Sequence, residues 1–268
     1  MIDLHNHLLP GIDDGARKLD ESLEFLRIAW RDGVRTVVAT PHMKPGVYDN
    51  QREAILQRLG MVREAQRGDE AERVTLLPGA EVYFTADLVE RARDGRLMTL
   101  ADRGRYLLLE LPYQQIPLGV EDTIFQLRLL GITPVMAHPE RVAYYLEDIG
   151  RVATSVHLGA LTQITGASVT GRFGEKARAF ALEMLSRNLA HVLASDGHDA
   201  AYRPPLLSEA MAAAARVVGE TRALHMVRER PLAILEGREV EAPEPVEPGP
   251  RGLLRRFRAM LSSRRGPG

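Results

Sequence analysis

A βα rhythm constrains this chain more than any other feature: short apolar runs alternate with longer amphipathic stretches along nearly its whole length. Residues 1–4, 34–39, 74–77, 106–111, 132–137, 158–164 and 191–194 read as strands buried on both faces, each run being short and apolar. Between them, Leu23, Leu26, Ile28 and Trp30, then Ile55, Leu59 and Val62, then Phe125, Leu127 and Leu130, then Phe180, Leu182 and Leu185 mark amphipathic helices. Parallel neighbours cannot be joined by a tight turn, so a strand–helix repeat implies a parallel sheet with helices packed outside it. About seven such units predict an α/β fold, a distorted parallel (β/α)7-type barrel that is closed or nearly so.

At 268 residues, 45% of them hydrophobic, the chain can bury one sizeable core. The barrel is expected over 1–240, its last part, 208–236, helical. Residues 241–250 hold four prolines and three glutamates, which reads as a stiff linker, and residues 251–268 carry six arginines and no acid. In that tail Leu253, Leu254, Phe257, Met260 and Leu261 fall at helical spacing with Arg255, Arg256 and Arg258 mostly beside them. Two readings stay open for it: an interfacial helix on anionic lipid, or a basic tail without order. No run long and apolar enough for a membrane span or signal peptide is evident, which predicts a cytoplasmic chain, peripheral at the inner membrane face if the tail binds lipid. A net charge of -1 gives no basic field for nucleic acid.

The polar residues that carry chemistry follow the strands, which in a β/α barrel is the catalytic rim. His5-Asn6-His7 follows the first strand; alternation puts i and i+2 on one side, so both imidazoles can reach one ion. Asp14-Gly15 comes shortly after. Thr40-Pro41-His42 follows the second strand, Gly79-Ala80-Glu81 the third, and Glu110 sits at the end of the fourth. His138-Pro139-Glu140-Arg141 follows the fifth, and Ser195-Asp196-Gly197-His198 the seventh. Taken singly each has an ordinary reading: an HxH pair is a weak metal signal, and a glutamate after a strand commonly caps a helix. Asp13 and Glu140 suit turn or surface places, and His157, His191 and His225 read as structural or solvated. Taken together, His5, His7, Asp14, His42, Glu81, Glu110, His138, Asp196 and His198 point to one rim, and burying them without a cation would be costly. Cysteine is absent. That excludes disulfides, thiolate metal sites and a cysteine nucleophile. A donor set of nitrogen and oxygen suits Mn, Fe, Co, Zn or Mg.

These motifs, in this order, resemble the PHP (polymerase and histidinol phosphatase) superfamily. Within it they resemble the CpsB-type bacterial tyrosine-protein phosphatases of exopolysaccharide and capsule systems. The phrases from His7 to Gly15, Ala39-Thr40-Pro41-His42, Ala137-His138-Pro139-Glu140-Arg141, and Gln163-Ile164-Thr165 followed by Gly171-Arg172-Phe173-Gly174 carry the likeness, which runs from residue 1 to about 235. Gly197 departs from it, standing where the family usually has alanine. The resemblance implies three divalent ions, Mn²⁺ by preference. His5, His7, Glu81 and Asp196 would hold the first, Asp14, His42 and His198 the second, and Glu81, Glu110 and His138 the third. It also implies that Arg141 and Arg203 bind the phosphate and stabilise the transition state.

The expected function is therefore metal-dependent hydrolysis of phosphotyrosine in a protein, the implied partner being a tyrosine kinase of polysaccharide export. The missing thiol agrees, since a tyrosine phosphatase without cysteine must find another nucleophile. The alternative is a small-molecule phosphatase such as histidinol-phosphate phosphatase; a metal-bound module without turnover is a third reading. Tyr48 and Tyr113, in short rim segments after His42 and Glu110, are candidates to flank an aromatic substrate or ordinary rim packing.

Overall fold

The computed structural model describes residues 1–115 and 117–246; the tail 251–268 and its expected lipid contact lie outside the described residues. The strands among them are β1 (Ile2–Asp3), β2 (Thr36–Ala39), β3 (His42–Met43), β4 (Thr75–Pro78), β5 (Glu81–Tyr83), β6 (Tyr106–Glu110), β7 (Thr133–Ala137), β8 (Leu161–Thr165) and β9 (Val192–Ala194). The helices begin with α1 (Leu19–Arg31), α2 (Arg52–Ala65), α3 (Leu88–Arg93) and α4 (Val120–Leu129). After β7 come α5 (Ala143–Glu147), α6 (Ile149–His157), α7 (Gly166–Val169) and α8 (Glu175–Ser186), and the last are α9 (Ser208–Val218), α10 (Glu220–Val227) and α11 (Glu229–Glu236).

Helices form where the spacing calls for them. In α1 the buried residues Ser22, Phe25, Leu26 and Ala29 make one stripe, with Asp20 and Glu21 in the first turn and Arg31 in the last, each charge favourable to the helix dipole. The carboxylate of Asp148 caps α6 by accepting from the Gly150 amide.

Every strand pairing is parallel, in two ladders ordered β1-β2-β4 and β3-β5-β6-β7-β8-β9. β2 and β3 are separated only by Thr40 and Pro41, and β4 and β5 only by Gly79 and Ala80. Each pair therefore continues one strand position, and the seven positions expected from the repeat appear as nine shorter strands. The barrel is not closed by a continuous ladder. Its seam, between β9 and β1, is joined at the mouth by the Asp196 amide donating to the His5 carbonyl at 2.9 Å and the His7 amide to the Gly197 carbonyl at 2.8 Å. Leu158, expected in a strand, instead caps α6, so β8 begins at Leu161.

Alternation divides the apolar residues. Ile2, Val38, Tyr106, Leu108, Val135, Ala137, Leu161 and Val192 form an inner cluster, while Val37, Leu107, Leu109, Met136, Ile164 and Leu193 pack into the outer core with the helices. Ile234 and Leu235 of α11 join the inner cluster, with Val240 packed against it. Each such fully buried aliphatic side chain contributes roughly 1.5–3 kcal/mol. The chain after α11 crosses the strand N-termini as a strap: Tyr106 Oη donates to the Arg238 carbonyl at 2.5 Å, Asn188 Nδ2 to the Glu244 carbonyl at 2.7 Å, and the Val246 amide to the Arg187 carbonyl at 2.8 Å. With that end plugged by side chains, the opposite end is free for chemistry.

Candidate metal centre

Strand register assembles the rim. His42 pairs with Glu81 across β3 and β5, and Glu81 with Leu108 across β5 and β6, so Glu110, two residues beyond Leu108, projects on the same face one step nearer the mouth. His42 Nδ1 lies 2.9 Å from Glu81 Oε2 and 3.5 Å from Glu110 Oε2. The loop 4–7, held against 196–197, brings His5 Nε2 within 3.2 Å of His7 Nε2. Two donors each about 2.1 Å from one ion at tetrahedral or octahedral angles stand about 3.0–3.4 Å apart, so these nitrogens are spaced as co-ligands. His138 Nε2 is 2.9 Å from Glu81 Oε1, and Asp14 Oδ1 reaches His42 Nε2 at 3.4 Å and His198 Nε2 at 3.7 Å. Two of these residues, His138 at φ 33° and Asp196 at φ 52°, sit in the left-handed region, a strain of about 1–3 kcal/mol each that side-chain placement at a functional site can justify.

Three groups of ligand atoms lie within 4.8 Å of one another: His7, Asp14, His42 and His198; His5, His7 and Glu81; and His42, Glu81 and Glu110. All nine residues expected from the sequence are thus in or beside one cluster. The grouping differs in detail, since His42 stands with Glu81 and Glu110 where His138 was expected, and His138 contacts the same group through Glu81.

The cluster fits divalent cations on its own chemistry. His42 Nδ1, Glu81 Oε2 and Glu110 Oε2 are buried, and their contacts with one another, at 2.9 and 3.5 Å, are not aligned as hydrogen bonds; a buried atom left so costs about 1–3 kcal/mol unless something else satisfies it. Electrostatics agree. Burial disfavours a charged His42, yet Glu81 and contacts to Asp14 and Glu81 push it up to about 11; His7, likewise buried, is pushed up to about 9 by Asp13. Glu110 is pushed up to about 7 by burial and by the negative Glu81 beside it. Glu81 and Asp196 resist burial and stay well below the carboxylate range because His5 and other positive neighbours surround them. A site that takes up protons to balance its carboxylates lacks positive charge, which divalent ions supply on expelling those protons.

Residues behind the candidate ligands fix their orientation. His7 Nδ1 donates to Asp13 Oδ2 at 2.8 Å, and His5 Nδ1 to Gln163 Oε1 at 2.8 Å, so both Nε2 lone pairs face the cluster. Asp13 also accepts from the backbone amides of Gly15 at 3.0 Å and His42 at 3.1 Å. Of the turn or surface place expected for Asp13, the turn holds and the surface does not: its side chain is 0% exposed. Glu140 likewise keeps its turn, the single 3-10 turn Pro139–Arg141, but not the surface: it is buried with Oε1 accepting from the Thr165 amide at 2.9 Å. Asp3, unremarked in the sequence, holds the seventh rim segment through the Ser195 amide at 2.9 Å and Ser195 Oγ at 2.6 Å. An acid inside an apolar opening strand was its signal. His191 is structural as expected: buried at the far end of β9, it accepts the Thr162 amide on Nδ1.

Arg141 and Arg203 meet at Asp196. Each donates to Asp196 Oδ2 at 2.6 Å, while Oδ1 faces His5 at 3.5 Å and His7 at 3.6 Å. Arg203 Nε is buried without a partner, a donor left free. Tyr48 stacks on His42, interplanar angle 6°, and Tyr113 on His138, interplanar angle 13°, so both rim tyrosines border the cluster.

The comparisons agree with this geometry. A crystal structure of YwqE from Bacillus subtilis and CpsB from Streptococcus pneumoniae, described as unique metal-dependent tyrosine phosphatases, superposes with a TM-score of 0.88 at 32% identity, covering 93% of this chain and 100% of that one. Among curated proteins, the tyrosine-protein phosphatase YwqE of Bacillus subtilis is 33% identical over 92% of this chain and 97% of its own length. The tyrosine-protein phosphatase CpsB of Streptococcus pneumoniae is 34% identical over 88% and 98%. The family model for capsular polysaccharide synthesis, CpsB/CapC, matches residues 1–236, and the chain belongs to that family.

Proposed function

We propose that this chain is a metal-dependent phosphomonoesterase that hydrolyses phosphotyrosine in protein. The observation that carries the reading is the convergence of imidazoles and carboxylates on one buried cluster with two arginines at its edge. His5, His7, Asp14, His42, Glu81, Glu110, His138, Asp196 and His198 would hold three divalent ions, Mn²⁺ in our proposal. Such ions supply Lewis acidity and a water-derived nucleophile at neutral pH.

The chain's own residues do the rest. Arg141 and Arg203 lie with side chains 21% and 26% exposed, enough to meet a phosphoryl group entering from the mouth, and their planar forks suit its oxygens. Asp196 holds both guanidiniums in place before substrate arrives. A phenolate leaving group, of pKa ~10, departs without a proton donor, whereas an alkoxide of pKa ~15–16 needs one. Tyr113, its phenol held neutral by burial, and Tyr48 offer faces to an aromatic substrate. A cleft of about 520 Å³ beside Asp14 and His198, reaching the exposed Tyr202, offers room for a peptide.

We further propose that the physiological substrate is the phosphotyrosine-bearing segment of a polysaccharide-export tyrosine kinase; the capsular-synthesis family supports this. No helix among the described residues is long and apolar enough to cross a membrane. Turnover of a phosphotyrosine peptide, a phosphoserine peptide and histidinol phosphate, compared by kcat/KM with added Mn²⁺, tests the proposal. The phosphotyrosine peptide should lead, and a tenfold lead for histidinol phosphate overturns the assignment.

A further inference from the structure

Phe173 lies in the turn between α7 and α8, half-buried, with no side-chain group able to hydrogen-bond or bind metal. Its ring nevertheless touches both arginines of the site. The Arg141 guanidinium carbon is 4.4 Å from the ring centroid and that of Arg203 is 5.6 Å. Arg141 also lies 5.1 Å from the Tyr113 ring, so aromatic and cationic groups alternate from Tyr113 to Arg141 to Phe173 to Arg203.

This arrangement answers a physical difficulty. Two guanidiniums converge on a single oxygen, Asp196 Oδ2. Their like charges repel, and each long side chain loses rotamer freedom by staying there. One carboxylate oxygen anchors two positive groups but does not fix the planes of two forks. An aromatic face does both: its negative quadrupole attracts each cation, and its flat surface restricts the tilt. The segments that carry the arginines come from different strand ends, 138–141 after β7 and 196–203 after β9, and the Phe173 turn stands at both.

We propose that Phe173 is a positioning residue that holds Arg141 and Arg203 as a preset pair for the phosphoryl group. It acts through the arginines and touches neither the ions nor the reacting atoms. The inference rests on the reading above that these arginines receive phosphate.

The test compares Phe173→Leu, which keeps apolar bulk without a π face, with Phe173→Tyr, which keeps the face. Full-length, metal-loaded protein is titrated with inorganic phosphate by calorimetry, its metal content measured, and kcat/KM determined on a phosphotyrosine peptide. Phe173→Leu should weaken phosphate binding and lower kcat/KM by a similar factor, about tenfold, with metal content and Tm unchanged, while Phe173→Tyr should recover both to within about threefold. In an Arg203→Ala background, the loss from Phe173→Leu should shrink, because one of its two partners is gone. Wild-type phosphate affinity in Phe173→Leu overturns the inference, as does a Phe173→Tyr variant no better than the leucine one. Protein that binds phosphate in a Phe173-dependent way yet leaves the phosphotyrosine peptide intact supports the inference and sinks the substrate assignment instead.

Discussion

Asp13 shows how much of the candidate metal site lies outside its candidate ligands. One carboxylate accepts hydrogen bonds from His7 Nδ1, the His42 amide and the Gly15 amide, so it sets an imidazole tautomer and ties two rim loops together. Asp13→Ala should therefore lower metal affinity by about 10–100-fold without removing any ligand. Metal titration of the purified variant checks this, and wild-type affinity would show that His7 needs no orienting group. Gly15 is required beside it, because a Cβ there would stand 1.8 Å from the His7 carbonyl oxygen. Gly197, the position where the family resemblance called for alanine, has a local cause: an added Cβ would meet the Phe25 ring at 2.8 Å, so the aromatic ring occupies the room a methyl group would take. The nine candidate ligands could be proposed from the sequence because eight of them stand at or just past the end of an apolar strand run and the ninth, Asp14, lies in the loop that follows the His5-x-His7 pair. The roles of Asp13 and Gln163 could not be, because what marks them is a partner distant in the chain or across a turn, and a single carboxylate or amide in a loop or strand looks the same with or without one; Asp3 carried a signal, an acid in an apolar strand, but not the identity of its partner Ser195.

At the scale of elements, the repeat of strand and helix was readable because each element buries its own periodic face, and the parallel sheet followed from the connections. What was not readable is where the strands break. β3 and β5 contain only two and three residues, too few to show a period, yet they carry His42 and Glu81. Closure of the barrel likewise depends on backbone bonds between loops 5–7 and 196–197, which leave no mark in side-chain pattern. The far end of β8 and β9 offers a test of element stability. His191 is held neutral, lowered to about 3 by burial and by Arg230, while it accepts the Thr162 amide. In the unfolded chain its pKa is near 6.5, so between pH 6.5 and 3 the unfolded state binds the extra proton. The stability this residue contributes is complete above pH 6.5 and is lost as pH falls toward 3, at most about 1.4 kcal/mol per pH unit. His191→Asn keeps an acceptor for Thr162 and removes the titration. Urea unfolding at pH 6.5 and pH 5 should then show a smaller drop in the variant than in the wild type, by about 2 kcal/mol. Equal drops would mean that His191 is protonated in the folded protein.

For the whole molecule, the two ends of the barrel divide the work: candidate ligands and arginines at the mouth, α11 and the strap at the floor. The stretch 241–250, expected as a linker, starts with residues fastened to that floor. The Glu241 carbonyl accepts from Arg230 Nε at 3.2 Å, the Glu244 carbonyl from Asn188 Nδ2 at 2.7 Å, and the Val246 amide donates to the Arg187 carbonyl at 2.8 Å. These described residues, up to Val246, therefore lie on the face opposite the candidate metal cluster. Two truncations separate these roles. A chain ending at Val246 should keep the Tm and kcat/KM of the full protein and lose any sedimentation with anionic liposomes. A chain ending at Gly237 also loses the strap's hydrogen bonds, each worth a net of about 0.5–1.5 kcal/mol, and should melt on the order of 10 °C lower. Equal sedimentation of the full chain and the chain ending at Val246 rejects the lipid contact. A chain ending at Gly237 that melts with the full protein would mean that the strap merely rests on the floor and that the barrel is complete without it.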